Sequence, residues 1–402
     1  MECRAFHDAL HGIIVLHPLC LKVIDTIEFQ RLRKIKQLGN ASLVFPSATH
    51  TRFEHSLGVA WLAGRLIRVL ADAHPELAIT PREMLCIELA GLLHDVGHGI
   101  MSHTFDMFIA QTDKVWKHED TSATMVRAIC ENIQVAEGFK HYGIHDCIDF
   151  IINLIHGNFD TERSFLWDIV ANTRTGNDVD KWDYLQRDAQ MLGVRIPFTH
   201  GRLLHFARVV TLPCGQTAIA YPDKVASDVT ALFASRTVLH ETAYRHRVTR
   251  ALDLMTVDAL VSADPFFMIN VDRMSESIHN PLTYSAMTDS ILDQLLFSTD
   301  KDLQPSRELL MRIQERDLYS CIHEITVTND AQVAEFYEYA MTLITPDTCI
   351  ICDVCTYAKE RPSHFFRTDR MNGTRTLLPD ARHPQLEKRV CRIYDKQSRE
   401  VR

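Results

Sequence analysis

A histidine followed directly by an aspartate, His94 and Asp95, is the most chemically informative pair in this sequence. A neutral imidazole beside a carboxylate supplies two ligands for a divalent metal. The pair follows an apolar helical stretch, where a charged carboxylate is costly unless a cation compensates it. We therefore expect a cation next to these two side chains.

Two further residues can complete such a site. His55 lies on the apolar side of a predicted helix, and a buried histidine needs a partner. Asp180, Tyr184 and Asp188 follow one another at four-residue spacing, so they share one helix face. Taken alone, His55 would be a core histidine, and Asp180 would belong to a first turn capped by Asn177. Two histidines with two aspartates suit iron, zinc, manganese or magnesium better than they suit a closed structural zinc site.

More histidines follow the pair within a short stretch of chain. A metal-bound water can attack a phosphorus centre while a nearby imidazole protonates the leaving oxygen. Asp106 is placed to orient one of these rings. Each histidine alone could be structural, but we expect at least one of this group to take part in chemistry: His98, His103 and His118.

The composition of the whole chain narrows the class of protein. The chain has 402 residues and a formal net charge of −9, which argues against a general nucleic-acid coat protein but allows a local basic pocket for a phosphate ligand. Its 11 cysteines are scattered, as in proteins of the nucleus or cytoplasm with reduced thiols. No apolar stretch is long enough to span a membrane, so no membrane partner is expected.

Helical periodicity dominates the first two-thirds of the chain. The apolar repeat over 59–70 predicts one amphipathic helix, and Thr80 with Pro81 and Glu83 marks the start of the next. Gly193 should end a helix over 178–192. The fold class is therefore mostly α, a helical body with a smaller C-terminal α+β lobe. Further helices are predicted over 225–239, 243–263 and 288–297, strands over 321–328, 348–354 and 390–394, and a loop over 371–382.

The order His55, His94, Asp95 and Asp180 resembles the H…HD…D pattern of the HD-domain phosphohydrolases. The flanking segments 52–59, 94–99 and 178–184 are similar to the SAM-domain-and-HD-domain deoxynucleoside triphosphate (dNTP) triphosphohydrolases of vertebrates. The similarity runs over roughly residues 4–345 and resembles the catalytic part, without the SAM domain. It implies an HD-domain helical body over 1–300 (HD core about 50–200) and a C-terminal α+β lobe over 301–402 that takes part in assembly.

The resemblance implies hydrolysis at the α-phosphate of a dNTP, which gives a deoxynucleoside and inorganic triphosphate. Iron or zinc would bind at the His–Asp site, together with magnesium, and its ligands would be His55, His94, Asp95 and Asp180. His103 is our candidate acid for the leaving 5′-oxygen. The residues that match the family's active-site positions are His98, His103, Asp106 and His118.

The same resemblance implies a substrate pocket with separate parts for phosphates, sugar and base. A triphosphate needs several cations, and a tight wall at the 2′ carbon would exclude a ribose hydroxyl. The family's glutamine beside the base is Arg245 here. The expected phosphate-binding residues are Arg52, Lys181 and Arg236, the sugar-binding residues are Gln37, Leu38, Tyr184 and Asp188, and the remaining pocket residues are His240 and Tyr244.

The family is also activated by GTP and dNTPs, which drive assembly from dimer to tetramer. Residues that match a guanine-specific activator pocket are Arg4, Asp25, Gln30 and Arg33, and those that keep cationic or titratable character at the second nucleotide site are Arg202, Lys224, His246 and Arg247. Pro222 and Thr242 replace two arginines there. Loss of two guanidinium groups should weaken triphosphate binding by about 2–6 kcal/mol, so we expect weaker nucleotide-dependent tetramerisation than in the family.

Two other interpretations remain open at this point. The chain could be an HD phosphohydrolase that acts on another phosphoester, or a nucleotide-sensing regulator that binds single-stranded nucleic acid and has weak catalysis. Arg52, Lys181 and Arg236 favour a highly charged substrate over the first of these.

Overall fold

Helices make up most of the computed structural model, which confirms the mostly-α class. No helix in the described parts of the chain combines the length and the apolar composition needed to cross a bilayer. The residues that the structure describes are 4–157, 163–343, 350–357, 362–368, 375–378, 381–382 and 388–397.

The α-helices carry most of the main hydrophobic core. The predicted helices over 59–70, 178–192, 225–239 and 288–297 are confirmed, with ends shifted by a few residues. In chain order the α-helices are α1 (Pro18–Ile24), α2 (Ile27–Gln30), α3 (Arg52–Ala73), α4 (Pro81–Leu93), α5 (His103–Ile109), α6 (His118–Glu131), α7 (Ile133–His141), α8 (Ile148–His156), α9 (Val179–Leu192), α10 (Gly201–Phe206), α11 (Ala226–Leu239), α12 (Arg247–Ala263), α13 (Pro281–Tyr284), α14 (Ser290–Leu296), α15 (Gln304–Glu315) and α16 (Asp330–Thr342).

Helices α3 and α4 bring the first two candidate ligands together. The predicted start of α4 is confirmed, because Thr80 and Glu83 form a capping box with Pro81 in the first turn. The two helices run in opposite directions and approach closely at Gly91, where a Cβ atom would lie 3.1 Å from the Cα atom of Ala60. The beginning of α3 therefore lies beside the end of α4.

Helix α9 begins close to the position predicted from the sequence, but its N-cap residue differs from the expected one. The side chain of Asp178, rather than Asn177, accepts a hydrogen bond from the Lys181 backbone N–H at 3.1 Å. Asp180 is consequently the second residue of the helix. Gly193 ends the helix in the left-handed region, at φ +67°.

Three predictions about local structure were wrong in part. The helix predicted over 243–263 begins only at Arg247, because a π-helical turn occupies His240–Tyr244. Short strands lie within the stretch 371–382 that was predicted as a loop, and two hairpins interrupt the helical first two-thirds, because strand pairing over four residues leaves little periodicity in a sequence.

The strands form several small sheets. Strands β7 (Ser320–Val327), β13 (Lys388–Asp395) and β8 (Ile350–Tyr357) form an antiparallel sheet. Strand β10 (Phe365–Thr368) joins the hairpin of β3 (Arg208–Thr211) and β4 (Thr217–Pro222) by parallel pairing with β4. The strands predicted over 321–328, 348–354 and 390–394 are confirmed as β7, β8 and β13. The strand bounds are β1 (Ala5–Asp8), β2 (Gly12–Val15), β3 (Arg208–Thr211), β4 (Thr217–Pro222), β5 (Met268–Ile269), β6 (Asp272–Arg273), β7 (Ser320–Val327), β8 (Ile350–Tyr357), β9 (Pro362–Ser363), β10 (Phe365–Thr368), β11 (Arg375–Leu377), β12 (Ala381–Arg382) and β13 (Lys388–Asp395).

The hydrophobic core continues past the expected domain boundary at residue 300. Leu310 and Ile313 of α15 belong to the main core, whereas a small separate cluster includes Val327, Phe336 and Ile393. The division into 1–300 and 301–402 remains a prediction.

Candidate active site

Four side chains from three helices converge at one point of the helical body. Nε2 of His55 lies 3.2 Å from Oδ1 of Asp180 and 3.5 Å from Oδ2 of Asp95. Nε2 of His94 lies 3.4 Å from Oδ1 of Asp95 and 3.5 Å from Oδ1 of Asp180. The ligand set predicted from the sequence is therefore brought together by α3, the end of α4 and the start of α9.

The hydrogen bonds behind the two imidazoles orient them for metal binding. Nδ1 of His94 lies 2.9 Å from the carbonyl oxygen of Gly91, which can only accept, so this nitrogen carries the proton. Nδ1 of His55 likewise lies 2.8 Å from a carboxylate oxygen of Asp183. Both Nε2 atoms are buried and have no hydrogen-bond partner among the described residues. Two aimed lone pairs beside two carboxylates fit a divalent metal.

Without a metal, this cluster attracts protons. Burial opposes protonation of His55, but the carboxylates of Asp180 and Asp183 outweigh burial and raise its pKa to about 10. Burial also opposes ionisation of Asp180, yet His55 and His94 hold the pKa of its carboxyl well below the usual range. The site is thus a negative pocket that stabilises positive charge at its centre.

A second group of histidines adjoins these ligands. The His98 ring stacks on the His118 ring at 4.1 Å, and its Nε2 lies 3.3 Å from Oδ1 of Asp95. Nδ1 of His103 lies 2.8 Å from Oδ2 of Asp106, and Nδ1 of His118 lies 3.6 Å from the same oxygen. The structure therefore brings together all four residues expected to do chemistry, and Asp106 orients a histidine ring as expected.

Burial and neighbouring charges shift the pKa values of two histidines in this group in opposite directions. Burial, reinforced by Arg52 and His118, lowers the pKa of His98 well below its ordinary value, so His98 is neutral at pH 7. Burial also disfavours charge on His118, but Asp106 and Glu119 outweigh it and raise its pKa. The neutral His98 ring thus stacks on a His118 ring whose pKa is raised.

Arg52 connects the metal ligands to the pocket. Its Nη1 lies 2.5 Å from Oδ2 of Asp95, and its Nε donates to Oγ of Ser102 at 2.9 Å. The hydroxyl of Ser102 in turn donates to the Lys36 carbonyl oxygen at 2.7 Å. Arg52 is buried and already paired with a carboxylate, although its side chain also faces the cavity.

A cavity of about 570 Å³ opens next to the candidate metal ligands. Helix α9 runs along it, so Asp188 lies two turns, or about 12 Å, from Asp180. The predicted face of α9 is confirmed, since Asp180, Tyr184 and Asp188 all line the cavity. The other predicted substrate residues that line it are Gln37, Leu38, Arg52, Arg236, His240 and Tyr244.

The far end of the cavity is fixed by a hydrogen-bonded group around Asp188. The Tyr244 hydroxyl donates to Oδ2 of Asp188 at 2.5 Å, and Nε2 of His50 lies 2.8 Å from Oδ1. Burial, together with Arg236 and Arg245, lowers the pKa of His240 to about 3, so this ring is neutral at pH 7.

Lys181 differs from the other residues expected to bind phosphate. Its Nζ lies 2.9 Å from Oδ2 of Asp178, and it lines a separate cavity of about 180 Å³. Asp95, His118 and Asp180 border both cavities. Lys181 therefore lies on a different cavity from Arg52 and Arg236, although both cavities border the candidate metal ligands.

The residues of the expected activator sites form small clusters that do not line either cavity. Arg4 pairs with Asp25 at 2.7 Å, and Nε of Arg33 donates to Oε1 of Gln30 at 2.9 Å.

At the second expected site, Arg202 pairs with Asp228 at 2.7 Å and donates to the Lys224 carbonyl oxygen at 3.2 Å. His246 accepts from the Val248 backbone N–H at 3.3 Å and so caps α12, which begins with Arg247.

Some residues of the site were missed by sequence reasoning. Asp183 supports His55, His50 supports Asp188, and Ser102 supports Arg52. Asp183 follows Asp180 by three residues, and this spacing on a helix was the one local signal available for it. A second adjacent His–Asp pair, His145 and Asp146, is exposed and lies outside the site.

Comparisons with known proteins agree with this geometry. A family model described as HD domain matches residues 52–188. Proteins named deoxynucleoside triphosphate triphosphohydrolase SAMHD1 are 40% identical over 357 residues in Danio rerio (83% of this chain, 57% of the relative) and 34% identical over 448 residues in Homo sapiens (98% of this chain, 71% of the relative). A protein of Dictyostelium discoideum named as a SAMHD1 homolog is 38% identical over 330 residues, which cover 81% of this chain and 61% of the relative.

The helical fold, the His–Asp cluster and the family match define an HD-domain protein with a divalent-metal site. The chain spans a little over half the length of several of these curated relatives. Within the HD-domain class, it belongs to the SAMHD1 family.

Proposed function

We propose that this protein is a metal-dependent hydrolase that cleaves dNTPs into a deoxynucleoside and inorganic triphosphate. One observation carries the proposal: two imidazole nitrogens without a hydrogen-bond partner in the described part of the chain meet two carboxylates at the edge of a cavity that is also lined by guanidinium groups. The names of the related proteins supply the substrate class, and the geometry is compatible with it.

The metal would be held by His55, His94, Asp95 and Asp180. Iron or zinc suits the two imidazoles, and magnesium suits the phosphate oxygens. When bound, such a cation activates water and neutralises phosphate charge. Arg236 supplies further positive charge along the cavity.

His103 is the proposed acid for the leaving 5′-oxygen. Its Nδ1 is held by Asp106, which leaves Nε2 to deliver a proton. The ring lines the larger cavity and is mostly exposed to it.

Selection for a deoxyribose is assigned to the middle and far end of the cavity. Tyr184 lies one turn along α9 from Asp180, and Asp188 lies one turn further. Both oxygens of Asp188 are already engaged, by Tyr244 and by His50. Such a fixed wall tolerates a hydrogen at the 2′ carbon better than a hydroxyl.

Regulation by GTP and dNTPs, through assembly into dimers and tetramers, belongs to the same proposal. Arg4 pairs with Asp25, and Arg33 pairs with Gln30. These four side chains are available to exchange their present partners for a guanine nucleotide. At the second site Asp228 pairs with Arg202, and a carboxylate there should further disfavour a triphosphate. We expect GTP with dATP to give weaker tetramers than the family norm in light-scattering titrations; tight tetramers would contradict this. Localisation in the nucleus or cytoplasm is proposed from cysteine usage.

Product analysis tests the hydrolytic reaction. The protein is incubated with dGTP, Mg²⁺ and GTP, and deoxyguanosine with tripolyphosphate is the expected product pair. Formation of dGMP would contradict the proposal. Turnover of other phosphoesters with no reaction on dNTPs would favour a different phosphohydrolase, and binding of single-stranded nucleic acid without turnover would favour a regulator.

A matched pair of variants assigns the activity to this site. Replacing both His94 and Asp95 by alanine should abolish turnover. The control replaces the exposed His145 and Asp146 by alanine, and should leave turnover unchanged. Equal loss in both variants would remove the link between the site and the activity.

A further inference from the structure

A fully buried carboxylate lies directly behind the metal ligands. Oδ2 of Asp183 lies 2.8 Å from Nδ1 of His55, and Oδ1 lies 2.6 Å from Nε2 of His11. Arg187 donates to both oxygens, at 2.8 and 2.9 Å. The side chain of Asp183 is 0% exposed, so hydrogen bonds to His55, His11 and Arg187 take the place of hydrogen bonds to water.

The same group extends into the hairpin β1–β2. Nη1 of Arg187 also lies 2.8 Å from Oδ2 of Asp8, and both side chains are buried. Oδ1 of Asp8 accepts from the backbone N–H groups of Leu10 and His11, which fixes the turn of the hairpin. A two-stranded hairpin is marginally stable by itself. These bonds therefore anchor the hairpin to α3 and α9.

Helix α3 leaves space for this carboxylate. A Cβ atom at Gly58 would lie 2.0 Å from Oδ1 of Asp183 and 2.7 Å from Nη2 of Arg187. Gly58 lies one turn after His55 on the same helix. The backbone of α3 thus packs closely against the carboxylate of Asp183, which orients His55 on the same helix.

If Asp183 served only to stabilise the fold, it would not need a hydrogen bond to the candidate metal ligand His55. Arg187 and Asp8 by themselves would tie the hairpin to α9. Asp183 does more, because a carboxylate that accepts from Nδ1–H of His55 keeps the lone pair of Nε2 directed at the metal. Asp168 offers a comparison, since this buried carboxylate pairs with Arg174 at 2.6 Å and touches no metal ligand.

We propose that Asp183 is a positioning residue for the metal ligand His55, and that the hairpin β1–β2 sets the metal affinity of the site through His11 and the Arg187–Asp8 pair. The inference rests on the metal site of the proposed function but not on its substrate. Displacement of the hairpin would free Asp183 to move, and His55 would lose its orientation.

Metal affinity measured without nucleotide tests this inference. Zn²⁺ affinity is obtained by competition with a chelator, and the visible spectrum of bound Co²⁺ reports the ligand geometry. Asp183→Asn should bind Zn²⁺ about 10- to 100-fold more weakly, with a changed Co²⁺ spectrum. His11→Gln and Asp8→Asn, which alter only the hairpin, should weaken binding by about threefold or more. The control, Asp168→Asn, should lose stability but keep its metal affinity.

The outcomes separate this inference from the proposed reaction. Unchanged Zn²⁺ affinity and Co²⁺ spectra in Asp183→Asn and both hairpin variants would overturn it. If Asp183→Asn does not fold, the hairpin variants decide, and equal affinity to the parent in both of them overturns the inference. A parent protein that binds metal but hydrolyses no dNTP would count against the proposed substrate alone.

Discussion

Replacement of Gly58 by alanine should both destabilise the protein and weaken its metal site. The added methyl group would lie 2.0 Å from the nearer carboxylate oxygen of Asp183. To reach an ordinary van der Waals separation, that oxygen must move by roughly 1.5 Å. Such a shift would break hydrogen bonds of 2.6–2.9 Å to His11 and Arg187.

The expected loss of stability in Gly58→Ala depends on which interactions the added methyl group disrupts. Overpacking of a rigid interior costs about 1–3 kcal/mol, whereas separating a buried ion pair costs about 3–5 kcal/mol. Because the methyl group would separate the buried ion pair between Asp183 and Arg187, we expect the free energy of unfolding to fall by about 3–5 kcal/mol. Metal affinity should fall about tenfold, since a shift of the whole carboxylate group also moves Oδ2 of Asp183 away from Nδ1 of His55.

The assay is urea unfolding followed by tryptophan fluorescence, together with chelator competition for Zn²⁺. Gly201→Ala is the matched control, because no atom of the residues that the structure describes lies within 4 Å of a Cβ atom at that helical position. It should be neutral or stabilising by up to about 1 kcal/mol. A Gly58→Ala protein within about 1 kcal/mol of the parent, with unchanged metal affinity, would refute the close packing of Asp183 against α3.

Three further predictions address acid–base chemistry and the pocket wall. Burial lowers the pKa of His200 to about 4, so the unfolded chain binds a proton at this histidine before the folded protein does, and the free energy of unfolding falls as pH drops from about 6.5 to 4. His200→Gln should flatten this pH dependence by up to about 1.4 kcal/mol per pH unit, as measured by urea unfolding at each pH. An unchanged slope would contradict the prediction. His103→Asn should lower kcat by about 10²–10⁴-fold with little change in KM or metal content; loss of bound metal would instead indicate a role as a ligand. Arg392 donates to the Arg245 carbonyl oxygen at 2.6 Å and so supports the turn that carries Tyr244; Arg392→Ala should raise KM for dNTPs several-fold with a smaller change in kcat, and identical steady-state constants would exclude this support.

Local sequence was sufficient for most of the helical body. The capping box at Thr80, the glycine after α9 and the apolar repeat of α3 each depend on neighbours within one or two turns, which a sequence displays directly. The turn at His240–Tyr244 was not predicted, because a π-helical turn has nearly the same local periodicity as the helix that follows it.

Sequence alone also predicted which residue types would hold a metal and carry out the chemistry. The order of His55, His94, Asp95 and Asp180 and their flanking residues predicted the ligands, since the ligand types follow from the chemistry of the metal. The shared face of α9 followed from helical spacing alone.

Tertiary structure decided which partners these residues have. His55 and Asp183 are 128 positions apart, and no local pattern specifies that their side chains meet. The structure also distinguishes the buried pair His94 and Asp95 from the exposed pair His145 and Asp146. Packing between distant helices fixes burial, the protonated ring nitrogen and the shape of the cavity, because these properties depend on which elements exclude water from one another.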